Sequence, residues 1–317
     1  MQLPAFNSKC TRAAASLLAA LALCIPAARA RAEALAVIYP DIGEPYRKVF
    51  TEIVSGIEEQ AHGKPRSYAL GASTDPAELQ ASIRAGGARV VIALGRQGLK
   101  AAAGLEPALG VVVGGVGAVP DPEQLNGISL APDPALLFSQ LKLLVPGVRR
   151  VIVVYNPLNN EALIKLAREA ARAQGLELQA LEASDLAGAA RRYEAAFAAA
   201  DGKRDALWLP QDQTTVDETT ILPIVLRESW NRGVPIFSSS VLHVKKGALF
   251  ALYPNNVELG RDLAMLAQAL LNGEPVRRGI TPLRAVRTAL NSRTASHIGL
   301  VIAPGQQQAF DAIYPEP

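Results

Sequence analysis

The chain is poor in the residues that most often carry chemistry. Its 317 residues include only 2 cysteines, 3 histidines, 2 tryptophans and 2 methionines. Both cysteines, Cys10 and Cys24, lie in the first 24 residues. A chain that loses this segment has no thiol, which excludes a disulfide framework and a cysteine-ligated metal. His62, His243 and His297 are scattered, without metal-ligand spacing. There is no Gly-x-Ser-x-Gly elbow and no phosphate loop. Gly114-Gly115-Val116-Gly117 runs into a proline-containing loop instead of a helix, so it lacks the context of a dinucleotide fingerprint. No obvious nucleophile–base pair stands out. These absences argue for a protein that holds a molecule without transforming it, with no cofactor.

Beyond residue 32 no apolar run approaches the ~20 residues that a membrane span requires. The first 32 residues differ from the rest. Lys9 and Arg12 give a basic start, Ala13–Ile25 is an apolar run, and Pro26 follows. Ala28-Arg29-Ala30 and Ala30-Arg31-Ala32 then offer Ala-x-Ala cleavage sites. This is the pattern of a secretory signal peptide, and it predicts export to the periplasm. Lipid attachment at Cys24 is the lesser alternative, because Leu23 is a poor neighbour for that modification.

Processing also changes the charge. The leader carries four basic residues and no acid, so removing it leaves 28 basic against 29 acidic residues. A basic nucleic-acid-binding face is not indicated, and no nucleic-acid partner is expected.

Half of the residues are hydrophobic and only 5% are aromatic, so the core is aliphatic. Apolar strands alternate with helical periodicity through nearly the whole mature chain. Leu35–Tyr39, Arg89–Leu94, Val151–Tyr155, Ala206–Leu209 and Pro235–Ser238 read as strands. Tyr46–Ala61, Glu161–Gln174, Thr219–Asn231 and Asn256–Asn272 read as helices. The alternation predicts parallel sheets covered on both faces. Two similar halves, about 34–127 and 128–250, followed by leftover elements, suit a chain that crosses back between two Rossmann-like, doubly wound lobes. The predicted lobes are 33–127 with about 254–280, and 128–253 with about 281–317.

Ligands of open α/β sheets sit beyond the carboxyl ends of the strands. The richest such rim is Ala206–Tyr253. It carries Asp212 after one strand and Ser238, Ser239 and Ser240 at the end of the next. Asp212 is either a ligand contact or a cap for the segment after Thr214. The serines serve either a ligand or turn chemistry. Tyr155 and Asn156 end another strand, where Asn-Pro is equally an ordinary turn starter. Arg96 and Gln97 open a helix whose free N–H groups attract anions, and Arg96 is otherwise an exposed arginine. Asp41 and Tyr46 follow the first strand as a candidate acid and a candidate packing surface.

Several segments in order carry a family resemblance. They include Val145-Pro146, Tyr155-Asn156-Pro157, Asp205-Ala206-Leu207 with Asp212, and Gly233-Val234-Pro235-Ile236-Phe237. Next come Val244-Lys245-Lys246-Gly247-Ala248, Leu270-Leu271-Asn272-Gly273-Glu274-Pro275 and Ile298-Gly299-Leu300. From Asn126 to Pro304 the chain resembles the ABC-transporter substrate-binding family that contains tryptophan/tyrosine-binding proteins. The resemblance implies a type I periplasmic-binding-protein fold with two lobes, three crossovers and a ligand cleft. It implies a monomer that captures a small polar ligand, with amino-acid-like ligands among the candidates, and delivers it to an inner-membrane ABC permease. A sensory or accessory module signalling to a receptor is the alternative within the same fold. The resemblance also implies that Asp212 meets a ligand ammonium. The Asp41–Pro45 and Gly95-Arg96-Gln97 loops depart from the family pattern, so the ligand itself is not named.

Overall fold

The computed structural model describes residues 33–44, 46–117 and 124–315. The leader, both cysteines and Pro45 lie outside the described residues. Of the described residues, one compact unit takes those up to Gly114 together with Leu125–Gly127 and Asn256–Arg278. The second takes the remainder.

The first unit begins with β1 (Leu35–Pro40), α1 (Tyr46–Gln60), β2 (Arg66–Leu70) and α2 (Pro76–Ala85). It continues with β3 (Val90–Leu94), α3 (Gly95–Ala102) and β4 (Gly110–Val116). After β5 (Asn126–Pro132), the second unit adds α4 (Pro134–Leu144), β6 (Arg150–Tyr155), α5 (Pro157–Ala173) and β7 (Glu177–Glu182). Then follow α6 (Leu186–Ala199), β8 (Asp205–Leu209), α7 (Ile221–Arg232), β9 (Ile236–Ser238), α8 (Val241–Lys246) and β10 (Phe250–Pro254). Helix α9 (Asn256–Leu271) belongs to the first unit. The chain ends with β11 (Gly279–Leu283), β12 (Val286–Asn291), α10 (Ser292–His297), α11 (Pro304–Gln307) and β13 (Ala312–Tyr314).

The alternation yields two mainly parallel sheets. In the first unit the strand order is β4-β3-β1-β2, all parallel. In the second it is β13-β12-β10-β9-β8-β6-β7, with only β10 and β12 antiparallel. Strand β6 shows why these segments read as unbroken apolar runs. Val151, Val153 and Tyr155 enter one core with α4 and α5, while Ile152 and Val154 enter another with α6 and α7. A strand covered on both faces needs an apolar residue at every position.

The few aromatic residues are concentrated. Trp208 lies parallel to Phe237, with centroids 6.4 Å apart, and Phe237 stacks on Phe250 at 5.3 Å. Phe138 of α4 meets Trp208 edge-on at 5.8 Å. These contacts fill the space between β8, β9, β10 and the helix above them.

One local device starts three helices. Asp75, Asp133 and Asn156 each precede a proline, and each side chain accepts from the N–H two residues on, at 2.7, 2.9 and 3.0 Å. Proline at the first helical position omits a donor that has no intrahelical partner. The Asn156 cap starts α5 at Pro157, four residues before the expected Glu161. Asp185 starts α6 at Leu186, its Oδ1 accepting from the Gly188 N–H at 2.6 Å. Gly188 and the surrounding alanines obscure the apolar stripe there.

Helices α1 and α9 cross at backbone contact. A Cβ at Gly56 would lie 1.9 Å from the Val257 carbonyl oxygen, and one at Gly260 would lie 2.0 Å from that of Ile53. No helix among the described residues is long and apolar enough to cross a membrane. Gly260→Ala is expected to destabilise the protein by about 1–3 kcal/mol, because the helices must separate to admit the methyl group. A urea midpoint equal to that of the parent would contradict the close crossing.

Candidate functional site

A doubly wound sheet opens at its rim where successive connections diverge to opposite sides. In the second unit the chain leaves β6 toward β7 on one side, while β8, β9 and β10 build outward on the other. The ends of β6 and β8 flank this point, and they carry Tyr155-Asn156 and Pro210-Gln211-Asp212. In the first unit β1 and β3 stand in the same relation. Their ends carry Asp41 and the Gly95-Arg96-Gln97 turn. The ten residues singled out in the sequence therefore fall into two groups, each at a strand-order reversal or beside one.

Asp212 is the most connected of them, and it is 4% exposed. Its Oδ2 accepts from the Asn156 N–H at 2.6 Å and from Asn160 Nδ2 at 3.0 Å. Its Oδ1 accepts from the N–H groups of Thr214 at 3.0 Å and Thr215 at 3.3 Å. A carboxylate has about four acceptor positions, and these four donors take them. Thr215 Oγ1 also donates to the Val154 carbonyl at 3.1 Å, and Asn156 Nδ2 donates to Thr214 Oγ1 at 3.3 Å. The loop after β8 is thus tied to the start of α5 by one buried acid.

Tyr155 points into the core and is 1% exposed. Its hydroxyl lies 3.0 Å from Glu161 Oε2 and 3.2 Å from Glu182 Oε1, and its single proton serves one of them at a time. Burial, then the hydrogen bond to Glu161 and the charges of both acids, pushes its pKa up to about 12. Tyr155 therefore stays a neutral donor across the physiological range.

Ser238 is fully buried. Its Oγ lies 2.7 Å from His243 Nδ1 and accepts from the Ser240 N–H at 3.1 Å. His243 Nε2 faces Glu218 at 3.6 Å, and Lys246 pairs with the same Glu218 at 2.6 Å. The neutral imidazole with its proton on Nε2 lets Nδ1 accept from Ser238. Burial lowers the His243 pKa, and the nearby Glu218 only partly opposes it. Ser239 is also buried, and its carbonyl accepts from Gln211 Nε2 at 3.3 Å. Ser240 is half-buried and caps α8 without a side-chain hydrogen bond.

In the first unit, Asp41, Tyr46, Arg96 and Gln97 are all exposed. Arg96 and Gln97 occupy the first turn of α3, whose cap residue Leu94 contributes no side-chain bond. Gly95 turns the chain with a φ of +71°. A Cβ there would lie 3.0 Å from Phe50 and 3.3 Å from Pro40, which brings the Asp41 loop beside the helix start.

A cavity of about 80 Å³ opens in the second unit beside the β6–β8 rim. Asn160, Gln211, Ser129, Leu163, Ile280 and Pro282 are among its walls. Of these, Asn160, Gln211 and Ser129 are polar residues that sequence reasoning missed. Gln211 adjoins Asp212, and Asn160 lies one helical turn beyond Asn156, so spacing alone offered a signal. A larger open depression of about 600 Å³ lies past the β7 edge, lined by Glu182, Asp185, Arg191 and Arg192. It lies on the β7 side of the β6 end, where Pro157 also lines it. No group of acids, histidines and cysteines suited to a metal occurs among the described residues.

Two open, mainly parallel sheets with polar rims at their strand-order reversals define a type I periplasmic-binding-protein fold. Solved structures agree. The chain is similar to the ligand-free, open structure of a substrate-binding protein with adhesive properties from Clostridium difficile, with a TM-score of 0.63 and 17% identity over 89% of this chain and 99% of that one. It is similar to a conserved domain protein from Vibrio cholerae at 0.56, with 18% identity over 89% and 99%. It is also similar to an ABC domain in complex with L-Trp from Streptococcus pneumonia at 0.54, with 17% identity over 88% and 99%. At these identities the likeness establishes the fold. No curated protein sequence matches the chain. The family described as ABC transporter substrate binding protein matches residues 123–302. The chain belongs to that family: it is a substrate-binding protein of the ABC-transporter type.

Asp212→Ala strands four N–H donors and is expected to cost roughly 3 kcal/mol. Chemical denaturation measures this, and a loss of a few tenths would contradict the bracket. His243 makes a second prediction. Its folded pKa lies below the unfolded value of about 6.5, so the unfolded chain binds the proton more readily and stability falls as pH drops below that value. His243→Gln should flatten this part of the stability–pH curve, which urea midpoints between pH 7 and pH 5 will show.

Proposed function

We propose that the protein captures a small polar molecule at these rims and delivers it to an ABC permease in the inner membrane. Membership of the substrate-binding family supports the general role. The observation that carries the local reading is the small cavity at the β6–β8 reversal, walled by Asn160 and Gln211 beside apolar Leu163 and Ile280. Such a mixture of a few fixed polar groups and apolar walls is what small-molecule sites require. In the second unit the contacts come from Asn160, Gln211 and Ser240, and the exposed rim of the first unit, taken by itself, offers Asp41, Tyr46, Arg96 and Gln97. The leader pattern supports a periplasmic location.

This reading changes the part assigned to four candidates. Asp212 and Asn156 bond to each other and to their neighbours, Tyr155 bonds to Glu161 and Glu182, and Ser238 bonds to His243, so these four build the rim and leave contact to other residues. Amino acids are the first ligand class to test, given the L-Trp in the complex of the structurally similar Streptococcus protein.

Isothermal titration calorimetry of folded, ligand-free protein against amino acids, nucleosides and organic acids tests the proposal. At least one is expected to bind saturably and to raise the melting temperature, with about 2.7 kcal/mol of stabilisation at a hundredfold excess over Kd. Absence of binding across all three classes would overturn it.

A further inference from the structure

We propose that the cavity beside β6 and β8 is an acceptor subsite: Asn160 and Gln211 present two carbonyl oxygens that select a hydrogen-bond donor on the ligand and reject a carboxylate. The inference rests on the capture reading and specifies its chemistry.

Three side-chain amides line the cavity, those of Asn159, Asn160 and Gln211, and the last two have their nitrogen ends committed to the protein. Asn160 Nδ2 donates to Asp212 Oδ2 at 3.0 Å. Gln211 Nε2 donates to the Ser239 carbonyl at 3.3 Å. These acceptors fix which way each amide faces, because a carboxylate or carbonyl oxygen attracts the N–H end and repels the C=O end. The oxygen ends, Asn160 Oδ1 and Gln211 Oε1, accept no hydrogen bond among the described residues. Asn160 is only 6% exposed, so an occupant of the cavity is the group best placed to reach its oxygen.

The remaining walls reinforce the polarity. Ser129 Oγ accepts from the Ala131 N–H at 3.2 Å and lies 3.4 Å from the Ala131 carbonyl, so its polar atoms are engaged within its own turn. Asn159 stands exposed at the mouth. Leu163, Ile280 and Pro282 are apolar. No lysine, arginine or histidine lines the cavity. A carboxylate reaching the Asn160–Gln211 end would meet two carbonyl oxygens and no cation, with Asp212 directly behind Asn160. Ammonium, amide N–H and hydroxyl groups on a short apolar stem would instead find two acceptors and apolar walls. The donor class follows from the hydrogen-bond directions, and the cavity volume restricts it to a small group or the end of a larger ligand.

Three probes of matched size separate these chemistries: n-propylammonium, propanamide and propionate, at equal concentration and ionic strength. The readout is the side-chain amide ¹H–¹⁵N resonances of Asn160 and Gln211 in the folded protein. Propylammonium and propanamide are expected to shift both saturably, and propionate to leave both in place. Gln211→Leu alters an exposed residue and is expected to weaken propylammonium by about fivefold, the effect of one hydrogen bond. Asn160→Leu should weaken it further, and the exposed Gln211 variant carries the test if that protein folds poorly. Propionate binding as well as propylammonium, no response to any probe, or Gln211→Leu leaving propylammonium affinity unchanged would each overturn the subsite. A metabolite that binds by calorimetry without moving these resonances would overturn it while leaving the capture reading intact. Donor probes that bind, in a protein to which no metabolite binds, would uphold the subsite and overturn the capture reading.

Discussion

A single buried carboxylate organises the second unit's rim. Asp212 accepts from the backbone of Asn156, Thr214 and Thr215 and from the amide of Asn160. These donors belong to two segments, the start of α5 and the loop after β8, that diverge at the strand-order reversal. Without such an acceptor, the N–H groups at the start of α5 and in the loop after β8 would face a largely apolar interior, which costs about 1–3 kcal/mol for each unpaired group. Burial of the acid is tolerable because all its acceptor positions are used. The same bonds orient Asn160, so the constraint that holds the rim together also sets the polarity of the cavity beside it.

The architecture was legible because each level of the sequence agrees. Strands that need apolar residues on both faces read as unbroken runs, as in Val151–Tyr155, and capped helices separate them. Asp75-Pro76 and Asn156-Pro157 start their helices through chemistry that depends on neighbouring residues alone. Where local signals were weak, the reading faltered. The first two turns of α6 lack an apolar stripe, and tertiary packing against α7 and β6 defines the helix there. Strand β5, with its Gly127 and Pro132, was not singled out as a strand.

The candidate rims were legible in the sequence as strand ends, while the partners of their side chains were not. Rim residues can be found from strand ends, but whether a side chain faces inward or outward depends on partners distant in sequence. Asp212 and Asn156 are 56 residues apart, and no local pattern shows that one accepts from the other. The expectation of an ammonium contact at Asp212 came from resemblance, and the geometry gives that acid four protein donors instead. Ser238 and Tyr155 follow the same logic: a hydroxyl at a strand end serves the core when a histidine or a pair of glutamates lies within reach. The polar groups left over, on Asn160 and Gln211, are ordinary amides whose significance appears only once their nitrogen ends are accounted for.

The central claim is that Asp212 acts as an internal bracket. Amide hydrogen exchange at Asn156, Thr214 and Thr215 tests it most directly. The account predicts that these three amides are protected in the ligand-free protein, and that Asp212→Asn accelerates all three while leaving the amides of the distant β10 strand unchanged. Rapid exchange at these positions in the parent protein, or protection unaffected by the substitution, would contradict it.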